Sequence, residues 1–243
     1  AVDFGGGMLP QSAGTFGFQF DMYVAKLSQT GSYIWSHGFG STGNEQGNGV
    51  AIDQNGDVVV VGEFQGATSF GGTTVNSAGG YDVFVAKYAA STGSNLWTRQ
   101  GGGTGDDRGA SIATDTNRNA YITGLFANTA IFEGISIVSQ NSNGSLLVAK
   151  YSPSGSLSWV RGFSSGAIFG FATGKGITIE SSGNPVITGN ASGGVDVDGE
   201  YLGYGSMDAL LIKLSASDGS RIWAKFYGDF NDDYGTAVTK GSG

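Results

Sequence analysis

The chain repeats itself four times. An alternating run ending in lysine recurs as Tyr23-Val24-Ala25-Lys26, Phe84-Val85-Ala86-Lys87, Leu147-Val148-Ala149-Lys150 and Leu211-Ile212-Lys213, with the lysines 61, 63 and 63 residues apart. A tryptophan follows each run after a glycine turn: Trp35, Trp97, Trp159 and Trp223, at intervals of 62, 62 and 64. Such a period marks a supersecondary unit that cannot bury its apolar face alone and stacks against copies of itself.

A third recurring segment sets the strand pattern. Val50-Ala51-Ile52-Asp53 leads through Asn55-Gly56 into Val58-Val59-Val60-Val61-Gly62. Ser111 to Asp115 leads likewise into Ala120 to Gly124, and Gly176 to Glu180 leads through Ser182-Gly183 into Val186 to Gly189. Short apolar runs joined by such dipeptides signal hairpins, and no stretch keeps a helical period. In the second unit this gives strand a (Val50 to Asp53), b (Val58 to Gly62), c (Tyr81 to Tyr88) and d (Asn95 to Arg99), with a short β segment at Thr68-Ser69-Phe70. Four antiparallel strands per unit is the blade of a β-propeller. The expected fold is all-β: four repeats in one domain over 1–243, as units 1–40, 41–101, 102–163 and 164–228 with a partial fifth at 229–243. A β-solenoid is the alternative, but its repeats are shorter and lack hairpin turns.

The phase of the repeat bears on closure. Ala1 to Gly6 aligns with Ala67 to Gly72, after a strand b, and Gly235 to Val238 aligns with Gly47 to Val50, a strand a. The repeats fit either a closed four-bladed ring whose last blade is completed by both termini or an arc of a longer array. The arc is favoured, because open strand edges otherwise invite self-association.

Composition narrows the function. The 45 glycines lack a three-residue period, and 15 Phe, 10 Tyr and 4 Trp argue for packed sheets rather than disorder. Net charge is -8, with no Lys or Arg cluster to neutralise phosphates, which argues against nucleic acid as partner. Without cysteine there are no disulfides, thiolate metal sites or cysteine nucleophiles. No long apolar run spans a membrane, and no basic segment followed by an apolar one opens the chain.

The run Gly101-Gly102-Gly103-Thr104-Gly105-Asp106-Asp107-Arg108-Gly109, the two strands after it, and the Asp82-Val83-Phe84-Val85-Ala86-Lys87 of the neighbouring unit together resemble the bacterial SBBP-type β-propeller repeat. The second and fourth units keep the acidic turn, as Asp106-Asp107 and Asn231-Asp232-Asp233. The first has Gly43-Asn44-Glu45, and the third departs with Ala167-Ile168-Phe169. The resemblance implies the propeller fold and a secreted or surface-attached bacterial protein. It implies no catalytic site.

Few residues suggest chemistry. The four tryptophans read as filler between sheets, and the lysines as strand ends with their heads in water, with Asp53 or Asp115 as structural partners. The acidic turns (Glu45, Asp106, Asp107, Asp229, Asp232 and Asp233) fall on equivalent connections and so on one rim. They read either as caps on turn amides or, at Asp106, Asp107, Asp232 and Asp233, as carboxylates for Ca²⁺, which takes six to eight oxygens. No other cofactor is expected. Asp196-Val197-Asp198-Gly199-Glu200 alternates as the polar face of an edge strand does. His37, the sole histidine, has no recognisable catalytic partner. The expected function is a non-catalytic extracellular or cell-surface module, binding or structural, that contacts protein or glycan through its rim loops. A polysaccharide hydrolase or lyase would instead gather unit-specific residues such as Arg108, Arg161, Tyr201 and Tyr204 around one opening. A purely architectural role in a surface assembly is a third reading.

Overall fold

A computed structural model describes residues 2–9, 20–140, 143–165, 170–202 and 207–241, the side chains of 200–202 excepted. Among the described residues, twenty strands form and no helix. The first repeat contributes β1 (Met22–Leu27) and β2 (Tyr33–Phe39). The second contributes β3 (Glu45–Ile52), β4 (Val58–Phe64), β5 (Ala67–Ser69), β6 (Thr74–Asn76), β7 (Asp82–Tyr88) and β8 (Asn95–Gly103). The same six-strand order recurs in the third as β9 (Arg108–Thr114), β10 (Ala120–Phe126), β11 (Thr129–Phe132), β12 (Ile135–Val138), β13 (Ser145–Tyr151) and β14 (Leu157–Phe163). It recurs in the fourth as β15 (Phe171–Ile179), β16 (Pro185–Ser192), β17 (Val195–Val197), β18 (Glu200–Leu202), β19 (Asp208–Leu214) and β20 (Arg221–Tyr227).

Each complete unit pairs a-b-c-d, all antiparallel: β3-β4-β7-β8, β9-β10-β13-β14 and β15-β16-β19-β20. Among the described residues, none of the sheets closes on itself. The segment expected at Thr68 to Phe70 is one arm of a hairpin: Gly71, at φ 86°, turns the chain back so that β5 pairs with β6. The corresponding hairpin of the third unit, β11-β12, reaches back to pair with Gly101–Gly103 of β8, which extends that strand beyond its expected end at Arg99. Only glycine serves at Gly101, because the Phe132 ring occupies the place of a side chain.

The lysine and tryptophan of each repeat are direct cross-strand partners: Lys26↔Trp35, Lys87↔Trp97, Lys150↔Trp159 and Lys213↔Trp223. Beside each pair the register slips by one residue, and the residue left over (Ile34, Leu96, Ser158 or Ile222) is exposed. A bulge therefore explains an exposed aliphatic residue next to a buried tryptophan. A second bulge, between strands a and b, lies beside the glycine that ends each b motif. A side chain on Gly62, Gly124 or Gly189 would overlap the carbonyl oxygen of Gln46, Arg108 or Thr173.

Three apolar clusters lie between successive sheets. Strands b and c supply both faces: Val58 and Val60 of β4 pack towards the first sheet, and Val59 and Val61 towards the third. Likewise Leu147 and Ala149 of β13 face the second sheet, and Leu146 and Val148 the fourth. A strand buried on both faces reads as an unbroken apolar run, as Val58 to Val61 does.

Candidate functional site

The acidic turns join strand d of one sheet to strand a of the next. At the Asp106-Asp107 turn, the Asp107 N–H donates to Tyr81 O at 2.6 Å, and the Tyr81 N–H donates to Asp106 Oδ1 at 3.2 Å. The Asp107 carboxylate accepts from Gly103 N at 2.7 Å and Ala127 N at 3.0 Å, tying the end of β8 to the link after β10. Asp232 and Asp233 repeat this arrangement: Asp233 N–H donates to Met207 O at 2.6 Å, and Met207 N–H to Asp232 Oδ1 at 3.2 Å. Asn44 and Glu45 do the same with Phe20 in the first unit. The repeat thus selects these acids as acceptors for turn amides. The two Asp pairs sit at separate turns, and among the described residues no three His, Asp or Glu side chains gather as a metal-holding group. Residues 167–169, where the third unit departs, lie outside the described residues.

Glu45, Asp107 and Asp233 each face a second carboxylate, Asp21, Asp82 or Asp208, that the sequence pattern did not single out as a site. Asp82 opens β7, is 1% exposed and accepts from Ala78 N at 3.1 Å through Oδ2, whereas its buried Oδ1 has no hydrogen-bond partner. Burial pushes the Asp82 and Asp107 carboxyls up to about 6, and each Asp107 backbone bond opposes that rise. Asp21 and Asp208 stand five residues before their lysines, as Asp82 does before Lys87; Ser145 takes the place in the third unit. That fixed offset was the available signal.

The tryptophans fasten sheet to sheet. The Trp35, Trp97 and Trp159 indole N–H groups donate to the carbonyls of Ala90, Pro153 and Ala216, each in the c-to-d turn of the following sheet. Two of the lysines converge on the same carbonyls, Lys26 on Ala90 O at 2.9 Å and Lys150 on Ala216 O at 2.7 Å. Lys87 instead meets Asp53 at 2.6 Å and Asp57 at 3.5 Å, and is only 2% exposed, so its head is not in water as expected. The alternative partner Asp115 accepts from Asn119 and Tyr121 rather than from a lysine. His37 packs among Trp35, Phe39 and Tyr88.

The residues named for hydrolysis are engaged separately. Arg108 pairs with Glu63 and Asp106 and lies over the Tyr81 ring, whereas Arg161 donates to the Asp218 carbonyl of the next sheet. Tyr204 and the Tyr201 side chain lie outside the described residues. Asp196 accepts from Gly199 N within the β17-β18 turn, and Asp198 from Arg221 N.

What the repeat does not consume is a cleft of about 820 Å³ over β8, between the β5-β6 and β11-β12 hairpins. Thr74, Arg99, Gln100, Ile131 and Glu133 line it, above a Gly101-Gly102 floor. Arg99 and Glu133 bridge at 2.7 Å, and the Gln100 amide bonds both ways with the Asn76 backbone. The wall is therefore polar and held in place before any ligand arrives.

A fold of like antiparallel sheets, stitched through repeated turn acids and tryptophans, defines a repeat-built β protein. Residues 96–125, which run from β8 through the Asp106-Asp107 turn to β10, match the family model described as a beta-propeller repeat, SBBP. No curated protein matches the chain. Among the described residues, no helix is long and apolar enough to cross a membrane.

Proposed function

We propose that this chain is a non-catalytic binding module acting outside the cell or at its surface, which contacts a glycan or protein through the loops and the cleft over β8. The observation that carries this reading is the division of labour among the polar residues. The repeated Trp, Lys and acidic side chains are committed to backbone or ion-pair contacts that hold the scaffold. The cleft wall is instead built where two units meet, from Arg99 and Gln100 of the second and Glu133 of the third. A half-open cleft with a few fixed polar groups is the usual form of a ligand site. The sheets are read as consecutive blades and the repeats as an arc of a larger propeller, since among the described residues β1 pairs only with β2 and leaves an edge open.

Glycan-array screening and pulldown from intact cells test the function. Specific binding that falls at least tenfold in Arg99→Ala and Gln100→Ala is the expected result. Hydrolytic activity without binding overturns it. For the arc, the expected native mass is well above the 24.8 kDa of these residues, and a native mass equal to it overturns that reading.

A further inference from the structure

One knob and one socket pin each sheet to the next. The knob is the strand d tryptophan, and the socket is the glycine of the following c-to-d turn. A side chain on Gly93, Gly155 or Gly219 would lie 2.6 Å from the Trp35 ring, 2.8 Å from Trp97 or 2.8 Å from Trp159. With the indole N–H on a carbonyl of the same turn, this contact closes the three junctions between the four sheets. Trp35, Trp97 and Trp159 are all buried there.

Among the described residues, one knob and one socket are left over. Trp223, on the last sheet, is half-buried, and no glycine turn lies against it. Gly31, in the c-to-d turn of the first sheet, has φ 78° and nothing within 4 Å of where a side chain would stand. Its turn is closed by a Ser28 N–H bond to Ser32 O and a Gly31 N–H bond to Ser28 O. The Gly155 turn has the same two bonds, from Ser152 to Ser156 O and from Gly155 to Ser152 O. The socket is built, and no tryptophan fills it.

The faces around this knob and socket match in the same way. On the back face, turned to the preceding sheet, Phe84 and Tyr88 of β7 and Leu210 and Leu214 of β19 are at most 1% exposed. Their counterparts on β1, Tyr23 and Leu27, are 56% and 46% exposed. On the front face, Phe39 and Phe163 stand four residues after their tryptophans and are buried, whereas their counterpart Tyr227 is 59% exposed. The place of a following sheet is also marked. A side chain on Gly176 would lie 3.2 Å from Ala237 Cα, much as one on Gly49 would lie 3.1 Å from Ser111 Cα of β9. Residues 235–238 therefore stand against the fourth sheet as the strand a of a fifth.

We propose that a second copy of this chain docks head to tail on the first, its Gly31 turn receiving Trp223. This rests on the reading of the repeats as an arc, and it names what continues the arc. The contact buries the open apolar residues of both faces, the surface that drives association. It also offers the Trp223 N–H the carbonyl of Gln29, which holds the place of Pro153 in the turn. The β1-β2 hairpin of the second copy supplies strands c and d to the sheet that residues 235–238 begin. No described residue fills its b place, so this sheet stays the loosest of the row. Because the two patches differ, the contact is heterologous, and copies either close a ring or go on adding.

Native and denaturing mass spectrometry of the purified protein test this, with light scattering over a dilution series. The expected result is a single chain mass under denaturing conditions and a whole-number multiple of it, two or more, in the native spectrum. Trp223→Ala should weaken the assembly at least tenfold on dilution. Tyr23→Glu spoils only the back face and Tyr227→Glu only the front face. Both positions are exposed, and circular dichroism checks that each variant keeps its sheets. Each alone should run as a single chain, and an equal mixture of the two should recover dimers and nothing larger. Assembly that ignores Trp223→Ala or either glutamate overturns the proposal, as does a mixture that stays apart. A chain longer than these residues that is single in both spectra overturns the proposal and leaves the arc standing. A native mass of 24.8 kDa, one copy of these residues, removes the arc as well.

Discussion

Lys87 and Trp97 show how much a single position in this repeat can hold. Lys87 is enclosed with Asp53, whose side chain is wholly buried, so removing the ammonium leaves an uncompensated charge. Lys87→Ala is expected to lower unfolding free energy by about 3–5 kcal/mol, measured by urea denaturation, and Lys87→Met/Asp53→Asn should recover much of the loss. Trp97 packs against Gly155, which turns the chain at φ 86°; an added methyl there would sit 2.8 Å from the indole. Gly155→Ala should cost about 1–3 kcal/mol for backbone strain alone. Trp97→Phe, which loses the bond to Pro153 O and leaves part of the buried indole's space empty, should cost about 1.5–3 kcal/mol. If Gly155→Ala proves neutral, the tryptophan-on-glycine contact is not what locks the turn.

At the level of elements, the β11-β12 hairpin is a clasp with unequal ends. Its base adds three residues to β8, and its tip presents Glu133 to Arg99 and to the Leu157 N–H. About a third of both charged side chains is exposed, so Glu133→Ala should cost no more than about 1 kcal/mol. The bulge glycine is less forgiving. In Gly124→Ala the new methyl meets the Arg108 carbonyl, and β9 must move away from β10; a loss of about 3 kcal/mol is expected. Comparing the two variants by thermal melting checks the order: a larger effect at Glu133 would place the weight on the clasp rather than the ladder. The sequence showed the strands as apolar runs but not the hairpin, because β5 and β6 are three residues each and pair only once Gly71 reverses the chain.

At the scale of the molecule, the described residues form successive sheets, each packed on the next through one apolar cluster, so stability should vary from sheet to sheet along the row. The second and third sheets are covered on both faces. Hydrogen exchange followed by mass spectrometry should therefore find β4, β7, β10 and β13 the slowest to exchange and β1, β2 and β20 the fastest; uniform protection would mean that the row opens as one unit. Sequence alone determined the repeat, the all-β class, the order a-b-c-d and the packing role of the tryptophans, because side-chain periodicity and turn residues are local properties. It also marked the turn acids, but not the amides they hold, since Tyr81, Ala127 and Met207 lie twenty or more residues from the acids they donate to. Only the tertiary structure decided that Lys87 is buried, that the indoles bond to the following sheet, and that Asp82 faces Asp107. Those contacts join residues tens of positions apart. They depend on how one sheet settles against the next, which a short window of sequence does not encode.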